Sequence, residues 1–168
     1  GALAEIEKYG VSRIDYVELD PVVLETGLSL LQEPLPDTVL VHLEDGRAFV
    51  EKSKERYDAV LMDLPDPASL QINRFYTVEF FREVRRLIAA DGIFSFAVSG
   101  AENYISSDQG RFLSSLYNAL EAAFGHVLVL PGEQNVFLAS PGPLSTEVGR
   151  LLAEKGIQTV YVKDAWLS

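Results

Sequence analysis

Two carboxylates lie close together in a short proline-rich segment, Asp63-Leu64-Pro65-Asp66-Pro67. The prolines restrict the backbone of this segment, which directly follows an apolar stretch typical of a buried strand. Neighbouring carboxylates repel each other and stay ionised most easily beside a cation. The segment therefore indicates a site for a cationic group, such as an amine. The alternative is an ordinary proline-rich turn with Asp66 exposed to solvent.

Two further acidic positions occur earlier in the chain, each at the end of a strand-like segment. Glu18 ends the segment Arg13–Leu19, and Asp45 with Gly46 follows Val39–Leu43. In a nucleotide-binding unit, an acid at the first position can accept hydrogen bonds from both ribose hydroxyls. A carboxylate at the second position can accept one from the adenine amino group, and glycine lets the backbone approach the ring. The alternatives are a solvated strand end and a simple Asp-Gly turn.

Strand-like and helix-like segments alternate along the chain, which predicts an α/β domain with a mostly parallel sheet. Ligands bind at the carboxyl ends of the strands in such sheets. Because acidic groups end three successive strands, we predict that Glu18, Asp45 and Asp63 line one cleft. The predicted strands are 13–19, 39–43, 57–62, 93–98, 127–130, 136–139 and 159–162, and the predicted helices begin at or near residues 2, 21, 46, 78, 107 and 146.

Several residues are predicted to begin or end these elements. Asp20 is expected to cap the helix that starts at Pro21 rather than to bind a ligand. Thr77 is expected to cap the helix that carries the apolar stripe Phe80, Phe81, Val84, Leu87 and Ile88, and Asp91-Gly92 to end it. Ser106 and Gln109 fit a capping box. Pro131 and Gly132 lie in the turn of a predicted antiparallel hairpin.

Composition narrows the classes of function. The net charge of −11 argues against binding a nucleic-acid backbone and suits cationic small molecules, although solubility alone is an alternative reason for it. The chain has no cysteine, which excludes disulfides, thiolate catalysis and cysteine-bound zinc within it. His42 and His126 each lie in an apolar run and are interpreted as core or edge residues, so no metal site is predicted. No apolar run is long enough to span a membrane, and we expect a cytoplasmic location.

Four segments resemble the spermidine synthases in order and spacing. They are RIDYVELDP (Arg13–Pro21), DGRAF (Asp45–Phe49), YDAVLMDLPDP (Tyr57–Pro67) and NRFYTVEFF (Asn73–Phe81). The resemblance extends from Gly1 to about Ala139 and is most specific in the segment 63–67. Within the family, the chain is most similar to bacterial spermidine synthase-like domains joined to membrane-spanning segments.

The resemblance implies a Rossmann-like, class I S-adenosylmethionine-dependent methyltransferase fold with a C-terminal antiparallel hairpin. The chain is then one domain, 1–168, whose first strand and glycine-rich loop are expected upstream of Gly1. The family transfers an aminopropyl group from decarboxylated S-adenosylmethionine to putrescine and releases methylthioadenosine. The resemblance thus implies a small-molecule polyamine substrate, a homodimer and no prosthetic group.

The resemblance also implies roles for individual residues. Glu18 matches the acid that binds the ribose, and Asp45 and Gly46 match the adenine site. Asp63 matches the catalytic acidic residue, and Asp66 matches a residue that holds the diamine.

Two regions bear on the identity of the amine. Tyr76 follows the acidic segment and either lines the diamine site or belongs to the core. Ser99–Glu102 stands where the family often has a glutamine-containing segment that contacts substrate. Because the sequence departs from the family there, the acceptor amine stays open.

Two alternative functions remain. The first is an S-adenosylmethionine-dependent methyltransferase on the same fold, although paired aspartates would repel the carboxylate of that donor. The second is a non-catalytic module that binds adenosyl compounds or polyamines within a membrane protein. Fold alone does not separate these functions.

Overall fold

The structure, a computed structural model, describes residues 2–30, 34–100 and 106–156 of the chain. The predicted strand 159–162 lies outside the described residues, as do Ala101 and Glu102. The helices are α1 Ala2–Glu7, α2 Pro21–Ser29, α3 Gly46–Lys52, α4 Leu70–Asn73, α5 Val78–Leu87, α6 Ser107–Phe124 and α7 Val148–Glu154. The strands are β1 Ile14–Glu18, β2 Val39–Leu43, β3 Tyr57–Met62, β4 Ile88–Ser99, β5 His126–Leu130 and β6 Gln134–Ser140.

The chain divides into two compact units, Gly1–Glu55 and Arg56–Ser168. This division does not test the single-domain prediction, which stays a prediction. The described strands form a parallel pair, β1–β2, and a four-stranded sheet in the order β3-β4-β6-β5. In the second sheet β3 and β4 are parallel, whereas β6 is antiparallel to β4 and β5. The antiparallel pairings thus belong to the predicted C-terminal hairpin and its contact with β4, and the other described pairs are parallel, as predicted.

In the first unit, β1 and β2 pair in register from Ile14 opposite Val39 to Glu18 opposite Leu43. The turn after β1 leads directly into α2, whose first residue is Pro21. The Asp20 carboxylate accepts a hydrogen bond of 2.8 Å from the backbone N–H of Val22. This confirms the predicted cap.

A charged cluster links β1 to β2. The Asp15 side chain is only 2% exposed and lies 2.9 Å from Arg13 Nε, while its other oxygen is 2.7 Å from His42 Nε2. The His42 ring also packs against Phe49, with ring centroids 4.8 Å apart. The structural interpretation of His42 is therefore confirmed: it satisfies a buried carboxylate.

We expect His42→Phe to lower the free energy of unfolding by about 1–3 kcal/mol, because it removes one of the hydrogen bonds to a buried carboxylate. The substitution keeps an aromatic ring beside Phe49, so it isolates the hydrogen bond. Urea unfolding would measure the change. His126→Phe, the same substitution at an exposed position of β5, is the control and should stay within about 0.5 kcal/mol of wild type. Equal stabilities for the two variants would contradict the assignment.

The second unit is built around an aromatic core. Phe96 stacks on Phe137 of β6 at 5.2 Å, and Phe94 stacks on Phe124 of α6 at 5.7 Å. Phe81 of α5 is fully buried against the same strand, β4. Burying each such ring contributes about 1.5–3 kcal/mol. This packing fixes the position of β4, whose last residue, Ser99, contacts the acidic segment 63–67.

Two boundaries in this unit differ from prediction. Helix α5 ends at Leu87 and β4 begins at Ile88, so Asp91-Gly92 lies inside a strand and does not end the helix. The strands β3 and β4 pair irregularly near Tyr57, and a Cβ on Gly92 would lie 2.9 Å from the Tyr57 carbonyl oxygen. Position 92 therefore requires glycine, because β3 and β4 approach each other closely there. Between β3 and α5, where no helix was predicted, the chain also forms the short helix α4.

Within residues 2–30, 34–100 and 106–156, the helices are either too short or too polar to cross a membrane.

Candidate active site

The two predicted adenosyl-binding acids lie at the same edge of the β1–β2 sheet. Glu18 is the last residue of β1, and its carbonyl oxygen accepts a hydrogen bond of 3.0 Å from the backbone N–H of Glu44, the residue before Asp45. The half-buried Glu18 carboxylate accepts a hydrogen bond of 2.9 Å from the N–H of Asp20. This bond orients the carboxylate at the strand end, where sheets of this kind bind ligands.

Asp45 is the N-cap of α3, a role that the sequence analysis did not predict. Its Oδ1 accepts hydrogen bonds of 3.1 Å from the N–H groups of Arg47 and Ala48, and Gly46 is the first residue of the helix. An aspartate directly before helix-forming residues was the available signal. The cap fixes the Asp45 carboxylate at the carboxyl end of β2, and its place in an adenine site stays a prediction.

The two aspartates of the acidic segment follow β3 but have different surroundings. Asp63 comes directly after Met62, the last residue of β3, and is exposed. Asp66 is half-buried, and its Oδ1 accepts a hydrogen bond of 2.9 Å from the backbone N–H of Ser99 at the end of β4. One aspartate is therefore open to solvent, while the other is anchored to the neighbouring strand.

Tyr76 is buried beneath this segment. It is 6% exposed, and its ring packs edge-on against Phe96 with centroids 5.4 Å apart. Its hydroxyl donates to the carbonyl oxygens of Leu64 and Pro65, at 3.3 and 3.1 Å. Tyr76 is therefore a core residue that contacts the acidic segment from within, and its contact with a diamine stays a prediction.

Burial, then the negative charges of Asp66 and Asp63, raise the pKa of Tyr76 to about 12. Because the fold favours the protonated phenol, the associated stability is complete below the ordinary tyrosine pKa of about 10 and is lost as the pH rises towards 12. We expect the difference in absorbance at 295 nm between wild type and Tyr76→Phe to develop near pH 12. A difference that develops near pH 10 would contradict the raised pKa of Tyr76.

The end of β4 is held by residues that the sequence analysis did not connect to the site. The Gln109 side chain donates to the Ser99 carbonyl oxygen at 3.4 Å, and the N–H of Gly100 donates to Glu133 at 2.8 Å. Ser106 caps α6 by accepting from the N–H of Gln109, as predicted. The Gln109 side chain, however, donates to Ser99, so only the Ser106 half of the predicted capping box is observed.

We expect Gly100→Ala to lower the free energy of unfolding by about 1–3 kcal/mol through overpacking. A Cβ at Gly100 would lie 2.0 Å from the Gly132 carbonyl oxygen, so β4 and the hairpin would have to separate. Gly27→Ala is the matched control, since a Cβ there meets nothing within 4 Å and alanine favours the helix. Thermal unfolding of both variants would check this, and an unchanged midpoint for Gly100→Ala would refute the close approach.

A family model, the spermine/spermidine synthase domain, matches residues 1–110. The chain belongs to this family. All six site residues predicted from the sequence lie within the matched range. An Aquifex aeolicus protein, polyamine aminopropyltransferase 2, is 33% identical over 155 residues, which are 87% of this chain and 31% of that protein. The chain thus spans about a third of the length of this family relative.

Two solved structures show the fold. A spermidine synthase in complex with the transition-state analogue AdoDATO has a TM-score of 0.70 and 19% identity, over 94% of this chain and 57% of that one. Human methyltransferase-like protein 13 in complex with SAH has a TM-score of 0.67 and 21% identity, over 92% of this chain and 75% of that one. The predicted class I methyltransferase-like α/β fold is therefore confirmed.

The six site residues predicted for this chain fall into two groups. Glu18, Asp45 and Gly46 belong to the first unit, and Asp63, Asp66 and Tyr76 belong to the second. Within each unit the residues of the group lie at the carboxyl ends of its parallel strands or directly beneath them. The single cleft for Glu18, Asp45 and Asp63 stays a prediction. Among the described residues, no cluster of His, Asp and Glu could hold a metal ion.

Proposed function

We propose that the protein containing this chain transfers an aminopropyl group from decarboxylated S-adenosylmethionine to putrescine or a related amine. The observation that carries the proposal is the pair of aspartates after β3. Asp63 is exposed and Asp66 is anchored to Ser99. An exposed carboxylate beside a positioned one suits a substrate with two amino groups, one that reacts and one that is held.

The donor is bound by the first group of residues. Glu18 accepts hydrogen bonds from the ribose hydroxyls, and the α3 N-terminus with Asp45 and Gly46 receives the adenine. Support comes from the placement of Glu18 and Asp45 at the same edge of β1–β2 and from the contact of Glu18 with the Asp20 N–H. The net charge of −11 attracts both a sulfonium donor and a diamine.

The reaction requires a neutral amine. A primary amine has a pKa near ~10 and arrives protonated, so it must lose that proton before its lone pair can attack. Asp63 orients the amine and accepts the proton, directly or through water, a role worth about 10²–10⁴-fold in rate. The nitrogen then bonds to the propyl carbon, the carbon–sulfur bond breaks, and its electron pair returns to sulfur to give neutral methylthioadenosine.

Asp66 binds the second ammonium of the diamine. The hydrogen bond from the Ser99 N–H keeps the Asp66 carboxylate in place and does not neutralise its charge. Holding the amine in line with the propyl carbon removes much of the entropic barrier.

The test is an assay of the intact protein with decarboxylated S-adenosylmethionine, S-adenosylmethionine and a panel of diamines. We expect methylthioadenosine to be released only with the decarboxylated donor, because the carboxylate of the other donor meets like charge. Methyl transfer from S-adenosylmethionine would replace the proposal with the methyltransferase alternative. Binding of adenosyl ligands without turnover of any amine would replace it with the binding-module alternative.

A further inference from the structure

The segment between Asp63 and Pro67 is tied to the body of its unit at two points. The Tyr76 hydroxyl bonds to the carbonyl oxygens of Leu64 and Pro65, and Asp66 accepts from the N–H of Ser99. A phenol has a single hydrogen, so the two carbonyls share it, in agreement with distances longer than the most common O–H···O value.

The Tyr76 ring is held in place by the aromatic core of its unit. The Tyr76 ring lies edge-on against Phe96, which in turn stacks on Phe137 at 5.2 Å and on Phe81 at 5.8 Å. The backbone N–H of Tyr76 also donates to Asn73 at 2.9 Å. The position of the phenol oxygen is therefore set by the aromatic core and not by the acidic segment that it contacts.

We propose that Tyr76 is a positioning residue for aminopropyl transfer, whose hydroxyl holds the Leu64 and Pro65 carbonyls and thereby fixes the Asp63 carboxylate. This inference rests on the proposed function. It gives Tyr76 a role different from lining the diamine site, because its hydroxyl is committed to the backbone of the segment.

The physical need for such a contact follows from the sequence of the segment. Proline restricts φ of residue 65 and favours extended backbone at Leu64, but the orientation of the carbonyl groups is still set by ψ. Asp63 is exposed, so its direction depends on the backbone that follows it. A hydroxyl bound to the next two carbonyls fixes those peptide planes, and a misplacement of about 1 Å can cost about 10²-fold in rate.

The hydroxyl remains a donor over the whole range of an enzyme assay. Burial and the two aspartates raise the pKa of Tyr76 to about 12. The same burial explains why Tyr76→Phe should fold: the ring keeps its place against Phe96 and only the oxygen is lost.

The experiment compares Tyr76→Phe with Tyr57→Phe in the intact protein. Tyr57 begins β3, whereas the acidic segment follows the other end of that strand, so the Tyr57 variant deletes a phenol oxygen away from Asp63. For Tyr76→Phe we expect kcat with decarboxylated S-adenosylmethionine and putrescine to fall about 10–100-fold, with unchanged affinity for methylthioadenosine. Amide exchange at Leu64, Asp66 and Ala68 should become faster. Tyr57→Phe should leave kcat within about twofold of wild type.

Each outcome decides the inference. A kcat for Tyr76→Phe equal to that of wild type overturns it and leaves the proposed function intact. A lower kcat with unchanged exchange at Leu64, Asp66 and Ala68 also overturns it, because Tyr76 would then act on the substrate directly. A wild-type protein that binds methylthioadenosine but turns over no amine overturns the proposed function and the inference together.

Discussion

Asp63→Asn is expected to lower kcat of aminopropyl transfer by about 10²–10⁴-fold while leaving the affinity for methylthioadenosine unchanged. Asparagine keeps the size of the side chain but cannot take the proton that the attacking amine must lose. Since Asp63 is exposed at the end of β3, the substitution removes no buried contact that the fold requires. Steady-state kinetics with decarboxylated S-adenosylmethionine and putrescine would measure the loss.

Asp58→Asn is the matched control for this prediction. Asp58 is an exposed aspartate near the start of the same strand, β3, and lies roughly 16 Å from Asp63 at the usual rise per residue. It should retain wild-type kcat. Equal activity of the Asp63 and Asp58 variants would remove Asp63 from the proton-accepting role.

Asp66→Asn is expected to raise KM for the diamine by about 10–100-fold, with a smaller effect on kcat. A hydrogen bond to a charged group is worth about 1.5–3 kcal/mol, which corresponds to this range. Asparagine still offers an oxygen to the Ser99 N–H, so the anchor at the end of β4 is retained and only the charge is lost. Initial rates at varied putrescine concentration would separate KM from kcat.

Asp66→Ala provides the comparison for this second prediction. It removes the charge and also the 2.9 Å contact with Ser99, so the position of the whole segment changes. We expect kcat to fall further in Asp66→Ala than in Asp66→Asn. An Asp66→Asn variant with wild-type KM for every diamine tested would show that the residue is an anchor alone.

Signals contained in a few neighbouring residues were sufficient to predict much of the fold. Asp20, Thr77 and Ser106 cap helices as expected, because each side chain bonds to an N–H only two or three residues away. The bounds of β2 and β3 also match the prediction, since short apolar runs flanked by polar residues define them. The hairpin is confirmed by the antiparallel pairing of β5 with β6.

Features that depend on distant residues could not be predicted in this way. The start of β4 at Ile88 results from pairing with Tyr57, so the local signal at Asp91-Gly92 was misleading. The anchor of Asp66 is a backbone N–H at Ser99, and a backbone donor has no sequence signature. The contact of Tyr76 with Leu64 and Pro65 likewise appears only once the chain is folded. The sequence therefore placed Glu18, Asp45 and Asp63 correctly at the ends of strands, but it did not reveal the contacts that hold the segment after β3.

The most direct test of the central claim is a titration of the intact protein with AdoDATO, the transition-state analogue bound in the spermidine synthase structure. A protein that carries out aminopropyl transfer must bind such an analogue more tightly than methylthioadenosine. We predict that Glu18→Gln and Asp66→Asn each weaken AdoDATO binding by at least about tenfold. The first substitution affects binding of the donor part of the analogue, and the second affects binding of its amine part. Wild-type affinity in either variant, or no binding by the wild-type protein, would contradict the account.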